Sequence, residues 1–178
     1  MTKQQYDVFI SFKNLGTDGK PTRDSELGAE IYRTLSDRGL TVFLSNVSLE
    51  KLGIDQYKKA IDDALDAAST LVAVGTSRSN LDSDWVRYEW DSFYNDILSG
   101  VKPKGRVFAY VEGVDISVLP RALRQSQTFT HGPGSLDQLC KFILNSVEKR
   151  STGEHSGTFK HISAASSSAS CSATESPW

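Results

Sequence analysis

Cysteine is scarce in this chain of 178 residues, where only Cys140 and Cys171 occur. One falls in a helical pattern and the other in a serine-rich stretch, so neither a disulfide framework nor a thiolate metal site is implied. The three histidines, His131, His155 and His161, are scattered. They read as solvated polar residues, and no metal is expected. Apolar runs such as Leu71 to Val74 fall far short of the roughly 18 to 20 residues that cross a bilayer. The start, MTKQQYDVFISF, passes directly into strand-like sequence with no basic region, apolar stretch and cleavage site before it, so a cytoplasmic protein is expected. Charge of one sign is also lacking: 20 basic residues against 22 acidic ones leave a net charge of -2, which argues against a nucleic-acid or anionic-membrane partner.

A hydrophobic content of 38% is enough for one globular domain. Composition breaks near Arg150, because residues 151–178 hold nine serines and few large apolar residues beyond Phe159, Ile162 and Trp178. We assign residues 1–150 to the domain and 151–178 to a disordered tail or linker.

Within the domain, short apolar runs alternate with helical patterns. Strands are expected at Tyr6 to Phe12, Leu40 to Leu44, Thr70 to Gly75, Gly105 to Val111 and Gln127 to Thr130. The first helix carries Leu27, Ile31 and Leu35, with Gly39 at its left-handed cap. The second carries Tyr57, Ala60, Ile61, Ala64, Leu65 and Ala68. A third runs from about Ser79 or Ser83 to Ser99, an irregular or helical piece spans Ile116 to Leu123, and the last carries Leu136, Leu139, Cys140, Ile143, Leu144 and Val147. This alternation predicts an α/β, flavodoxin-like, doubly wound five-stranded parallel sheet of order 2-1-3-4-5. Ligands in such a sheet sit beyond the strand carboxyl ends, at the switch point between strands one and three.

Several chemistries fail there. The strand ends ISFKN and AVGTS lack the acidic residues of a phospho-receiver. The loop NLGTDGKPT has no GK[ST] signature and is a weak phosphate cradle. No GxSxG elbow exists for a serine hydrolase. The third helix is more informative. Its apolar stripe is Val86, Trp90, Phe93 and Ile97, and Glu89 falls about 60° from the stripe's centre at ~100° per residue. Trp85, one turn earlier, shares that flank. Two readings stand: Glu89 is a boundary residue paired with Arg87 or Lys13 while Trp85 is core, or a partly desolvated carboxylate faces a cleft beside an aromatic platform, suited to stabilising a developing sugar cation.

Three segments, YDVFISFKN, TVFLSNVSLEKLGID and TSRSNLDSDWVRYEWDSF, occur in this order between Tyr6 and about Lys149. With them the chain resembles a TIR (Toll/interleukin-1 receptor) domain. The resemblance implies one of two functions. Some TIR domains are interaction modules that associate through TIR–TIR contacts, often by the BB loop. Others cleave NAD at the nicotinamide glycosidic bond, giving nicotinamide with ADP-ribose or a cyclic isomer. In that enzymatic class, NAD is the substrate and no further cofactor is implied.

By the same resemblance Glu89 is the catalytic glutamate, and Ser11, Phe12, Lys13, Ser45 and Trp85 are NAD contacts. Asn46, Leu49, Leu52, Gly53 and Tyr57 are BB-loop or assembly residues. Lys13 stands where many members carry arginine, and Ser45 where an acidic residue often follows strand two. The style of the first two segments resembles prokaryotic TIR proteins, which implies anti-phage signalling and homotypic assembly. A nucleoside deoxyribosyltransferase-like enzyme is a weaker alternative, unsupported by the first segment or the BB loop.

Overall fold

The computed structural model describes residues 5–45 and 54–153. Among them lies a five-stranded, all-parallel sheet of order β2-β1-β3-β4-β5, as the alternation predicts. The strands are β1 (Tyr6–Ser11), β2 (Val42–Leu44), β3 (Ala68–Gly75), β4 (Arg106–Val111) and β5 (Gln127–Thr130). The helices are α1 (Arg23–Asp37), α2 (Ile54–Ala67), α3 (Arg78–Leu81), α4 (Asp84–Leu98), α5 (Arg121–Gln125) and α6 (Ser135–Gly153), with one 3-10 turn at Ile116–Val118. No helix among the described residues is long and apolar enough to cross a membrane. The expected tail falls mostly on residues 154–178, outside the described set.

Side chains alternate between faces along each strand, and each face has its own core. On one side Phe9, Leu71, Ala73 and Val111 pack with Ile61 and Leu65 of α2, Val86, Trp90 and Phe93 of α4, and Leu123 of α5. On the other, Val8, Ile10, Val72, Val74, Phe108 and Tyr110 pack with Leu27, Ile31 and Leu35 of α1 and Leu139, Cys140 and Ile143 of α6. Burial on both faces explains why β3 reads as a near-continuous apolar run.

Local signals account for most boundaries. Thr22 caps α1 by accepting the Ser25 N–H, and its hydroxyl donates to the Lys13 carbonyl, which ties the loop after β1 to the helix. At the other end Gly39 has φ 82°, and the N–H groups of Gly39 and Leu40 return to the carbonyls of Ser36 and Leu35. This is a Schellman closure, and it corrects the expected start of the second strand: Leu40 is spent on the cap, so β2 begins at Val42. The C-terminal end of α2 is closed by a side chain. The Lys102 ammonium donates to the carbonyls of Leu65, Asp66 and Ala68 at 2.7 to 2.9 Å.

The third helix follows the later of its two expected starts, with N-cap Ser83 and C-cap Ser99, and a separate short helix precedes it. These are α4 and α3, each with its own N-cap, Ser83 and Ser77. The break lets Leu81 turn into the core against Gly75, while the Trp90 indole N–H donates to the Leu81 carbonyl at 2.9 Å. A Cβ on Gly75 would lie 2.5 Å from Leu81 Cγ. Gly75→Ala is therefore expected to destabilise the domain by about 1–3 kcal/mol through overpacking. Thermal unfolding checks this: a Tm equal to that of the parent protein would show that α3 shifts without cost.

Candidate active site

Strand parity selects the side chains that meet at the carboxyl end of the sheet. Because Val8, Ile10 and Phe12 face α1, Phe9 and Ser11 face α4. On β2, Val42 and Leu44 face α1, so Phe43 and Ser45 face α4 as well. Ile10 pairs with Leu44, and the Ser45 N–H donates to the Ile10 carbonyl at 3.0 Å, which sets Ser11 beside Ser45. Opposite them, α4 buries Val86, Glu89, Trp90 and Phe93 at spacings of three, one and three. Glu89 thus stands in the buried stripe itself, a correction to the edge position read from the wheel.

The carboxylate is held by the two serines. Ser11 Oγ donates to Oε2 and Ser45 Oγ to Oε1, each at 2.5 Å. Glu89 is 1% exposed, Ser11 0% and Ser45 4%. Neither Arg87 nor Lys13 forms the expected ion pair, because α4 carries Glu89 inward to a site with room for hydroxyls. Burial pushes the Glu89 carboxyl up to about 7, against the opposing pull of the Ser11 and Ser45 hydrogen bonds. The group therefore changes charge near neutrality while enclosed in the protein.

The other sequence-derived residues divide. Trp85 is not core: it is 38% exposed at the start of α4 and meets Tyr88 edge-to-face, centroids 6.2 Å apart. The indole and the carboxylate stand on successive turns, one at the surface and one inside. Phe12 is 3% exposed, and its ring packs on the α1 side, where Gly28 leaves room for it. Its ring is therefore on the opposite face of the sheet from Glu89, and only its backbone is placed to meet a ligand there. Lys13 is half-buried in the loop after β1. Asn46, Leu49, Leu52 and Gly53 lie outside the described residues, and Tyr57 lies in α2 with its side chain outside them.

Two features escaped the sequence reading. Asp24, wholly buried in the first turn of α1, accepts the Thr76 N–H at 2.8 Å and the Thr76 hydroxyl at 2.6 Å, joining α1 to the end of β3. Burial pushes its carboxyl up, while Thr76 and the nearby Lys13 charge pull it down. An acidic residue two positions after an N-cap threonine was the available signal. The second is Tyr88, whose hydroxyl donates to Asp62 of α2 at 2.7 Å and whose ring lies under Lys58. This links α2 to the turn of α4 that bears Trp85. Among the described residues no group of three or more His, Cys, Asp or Glu side chains could hold a metal ion.

A family model described as TIR domain matches residues 8–140. The chain belongs to the TIR domain family. Among solved structures, a metazoan TIR-STING receptor from C. gigas is similar at 18% identity with a TM-score of 0.52, a likeness of fold. The match covers 83% of this chain and 41% of that receptor, so the TIR domain spans less than half of the receptor's length. A search of curated protein sequences finds no match.

The raised Glu89 pKa has a consequence for stability. The unfolded chain ionises this group at its ordinary value, 4.5, and the folded chain only near 7. Its contribution is therefore fully present below pH 4.5 and is lost as pH rises through 7. Glu89→Gln is expected to match the parent protein near pH 4 and to exceed it at pH 8 by on the order of 3 kcal/mol. Denaturant unfolding across pH tests this, and a difference independent of pH would show that the group ionises normally.

Proposed function

We propose that this TIR domain cleaves the bond between nicotinamide and ribose in NAD, with Glu89 as the catalytic residue and NAD as substrate. The observation that carries the reading is the carboxylate enclosed at the carboxyl ends of β1 and β2 and held, among the described residues, by two hydroxyls. Its burial is unfavourable to the charged form at neutral pH, a cost better matched to chemistry than to support.

The leaving group defines what the site has to supply. As the glycosidic C–N bond breaks, its electron pair passes to the pyridinium nitrogen and nicotinamide departs neutral, so no general acid is required. The positive charge moves to the ribose, and Glu89 stabilises it from hydrogen-bonding distance of the sugar hydroxyls. For this contact a ribose hydroxyl takes the place of the Ser11 or Ser45 hydroxyl on the carboxylate, an exchange that keeps the number of hydrogen bonds. The cationic substrate also favours the ionised form of Glu89. Water attack at the anomeric carbon, with loss of a proton, gives ADP-ribose. Attack by a nucleophile within the same molecule gives a cyclic isomer. Lys13 offers a point charge to the pyrophosphate, and Trp85 a ring that stacks and excludes water. The biological setting that fits is prokaryotic anti-phage signalling in the cytoplasm, with activity supported by homotypic assembly through the BB loop.

One observation favours a second reading, a non-catalytic TIR interaction module. Both Glu89 oxygens are satisfied within the chain, so the group can serve as an internal tie between α4, β1 and β2.

Purified protein at high concentration, incubated with NAD and followed by chromatography, is expected to release nicotinamide. Glu89→Gln, folded by the unfolding measurement above, is expected to release none. Absence of turnover by the parent protein, in assembled samples as well, would leave the module reading. In an active protein Trp85→Ala is expected to lower the ratio of cyclic to linear product, and an unchanged ratio would remove Trp85 from the choice between water and the internal nucleophile.

A further inference from the structure

A cavity of about 400 Å³ opens at the other end of the sheet from Glu89. Its strand residues, Arg106 and Phe108 of β4 and Gln127 of β5, stand in the amino-terminal halves of parallel strands, whereas Ser11 and Ser45 stand at carboxyl ends. Lys104 precedes β4, and Phe142 and Asn145 of α6 form the facing wall. The volume lies within the range of about 300–1,000 Å³ usual for small-molecule sites.

The lining combines three kinds of group. Lys104 and Arg106 are exposed, and among the described residues no carboxylate lines the cavity and no ion pair engages either cation. In a chain of net charge -2 this pair is a local feature rather than part of a general basic surface. Phe142 stands off the buried stripe of α6. It is 44% exposed and meets Phe129 edge-to-face at 5.6 Å, with Phe108 behind, so part of an aromatic surface remains open. Gln127 and Asn145 present exposed amides, which donate and accept.

We propose that this cavity is a second ligand site, and that it takes a nucleoside monophosphate. A planar base packs on Phe142 with its polar edge toward the amides of Gln127 and Asn145. The phosphate meets Arg106, whose fork suits two of its oxygens, and Lys104 as a point charge. Two cations match the charge of one phosphate group. The site is independent of NAD cleavage, and AMP, which has no nicotinamide bond, probes it without turnover.

The test is an NMR titration of the full isotope-labelled chain with AMP, with adenosine and with inorganic phosphate. AMP is expected to shift the amides of Arg106, Gln127 and Asn145 saturably. Adenosine and phosphate are each expected to bind at least about tenfold more weakly, since each keeps only one half of the recognition. The exposed double substitution Lys104→Gln with Arg106→Gln is expected to weaken AMP about tenfold or more without altering thermal unfolding, and Phe142→Ala to remove the preference for AMP over phosphate. Shifts confined to residues around Ser11, Ser45 and Glu89 would overturn the proposal. So would phosphate binding as tightly as AMP, undiminished AMP binding in the double variant, or no saturable shift at millimolar AMP.

Discussion

The Glu89 carboxylate between the Ser11 and Ser45 hydroxyls is the constraint on which the carboxyl end of the sheet depends. Each partner comes from a different element, and each has to be in phase. A one-residue slip of β1 or β2 would turn its serine to the other face, and a one-residue rotation of α4 would move the carboxylate by ~100°. The pairing of Ile10 with Leu44 and the buried spacing Val86, Glu89, Trp90, Phe93 hold these phases together. Their apolar neighbours Phe9, Phe43 and Phe93 share one core, so packing and the polar contact enforce the same register.

That contact also accounts for the residue after β2. The TIR resemblance sets an acidic side chain at this position in many members, and here it is Ser45. With Ser45 Oγ 2.5 Å from Glu89, an acid in the same pose would place two carboxyl groups together, and one would have to keep its proton. Serine instead donates to either charge state of Glu89 and leaves the buried group a single titration.

The fold was legible because each of its main signals is local. Gly39 marked the end of α1, the run from Thr70 to Gly75 marked a strand covered on both faces, and Gln127 to Thr130 matched β5 residue for residue. Errors arose where one residue serves two elements. Leu40 looked like strand and closes a helix. Leu81 ends α3 and turns into the core, so that the helix restarts at Asp84. Glu89 could be placed on the correct helix and near the correct strands, since period and topology give both. Its burial was not legible, because a helical wheel gives direction and not depth, and the depth is set by how closely α4 packs on β1 and β2. The serine partners could have been found: strand parity and the β1–β2 register place Ser11 and Ser45 side by side. The exposure of Trp85 and its link through Tyr88 to Asp62 depend on how α2 and α4 lie against each other, which no local pattern encodes.

Lys102 shows how far a residue's chemistry can depart from its type. Its three ammonium protons point to the carbonyls of Leu65, Asp66 and Ala68, where α2 passes into β3 without a loop. A tetrahedral cation satisfies three converging acceptors that a planar guanidinium does not match. The amine therefore belongs to the backbone's own hydrogen bonding. One lysine of the sequence thus acts as a structural hydrogen-bond donor where a helix ends and a strand starts.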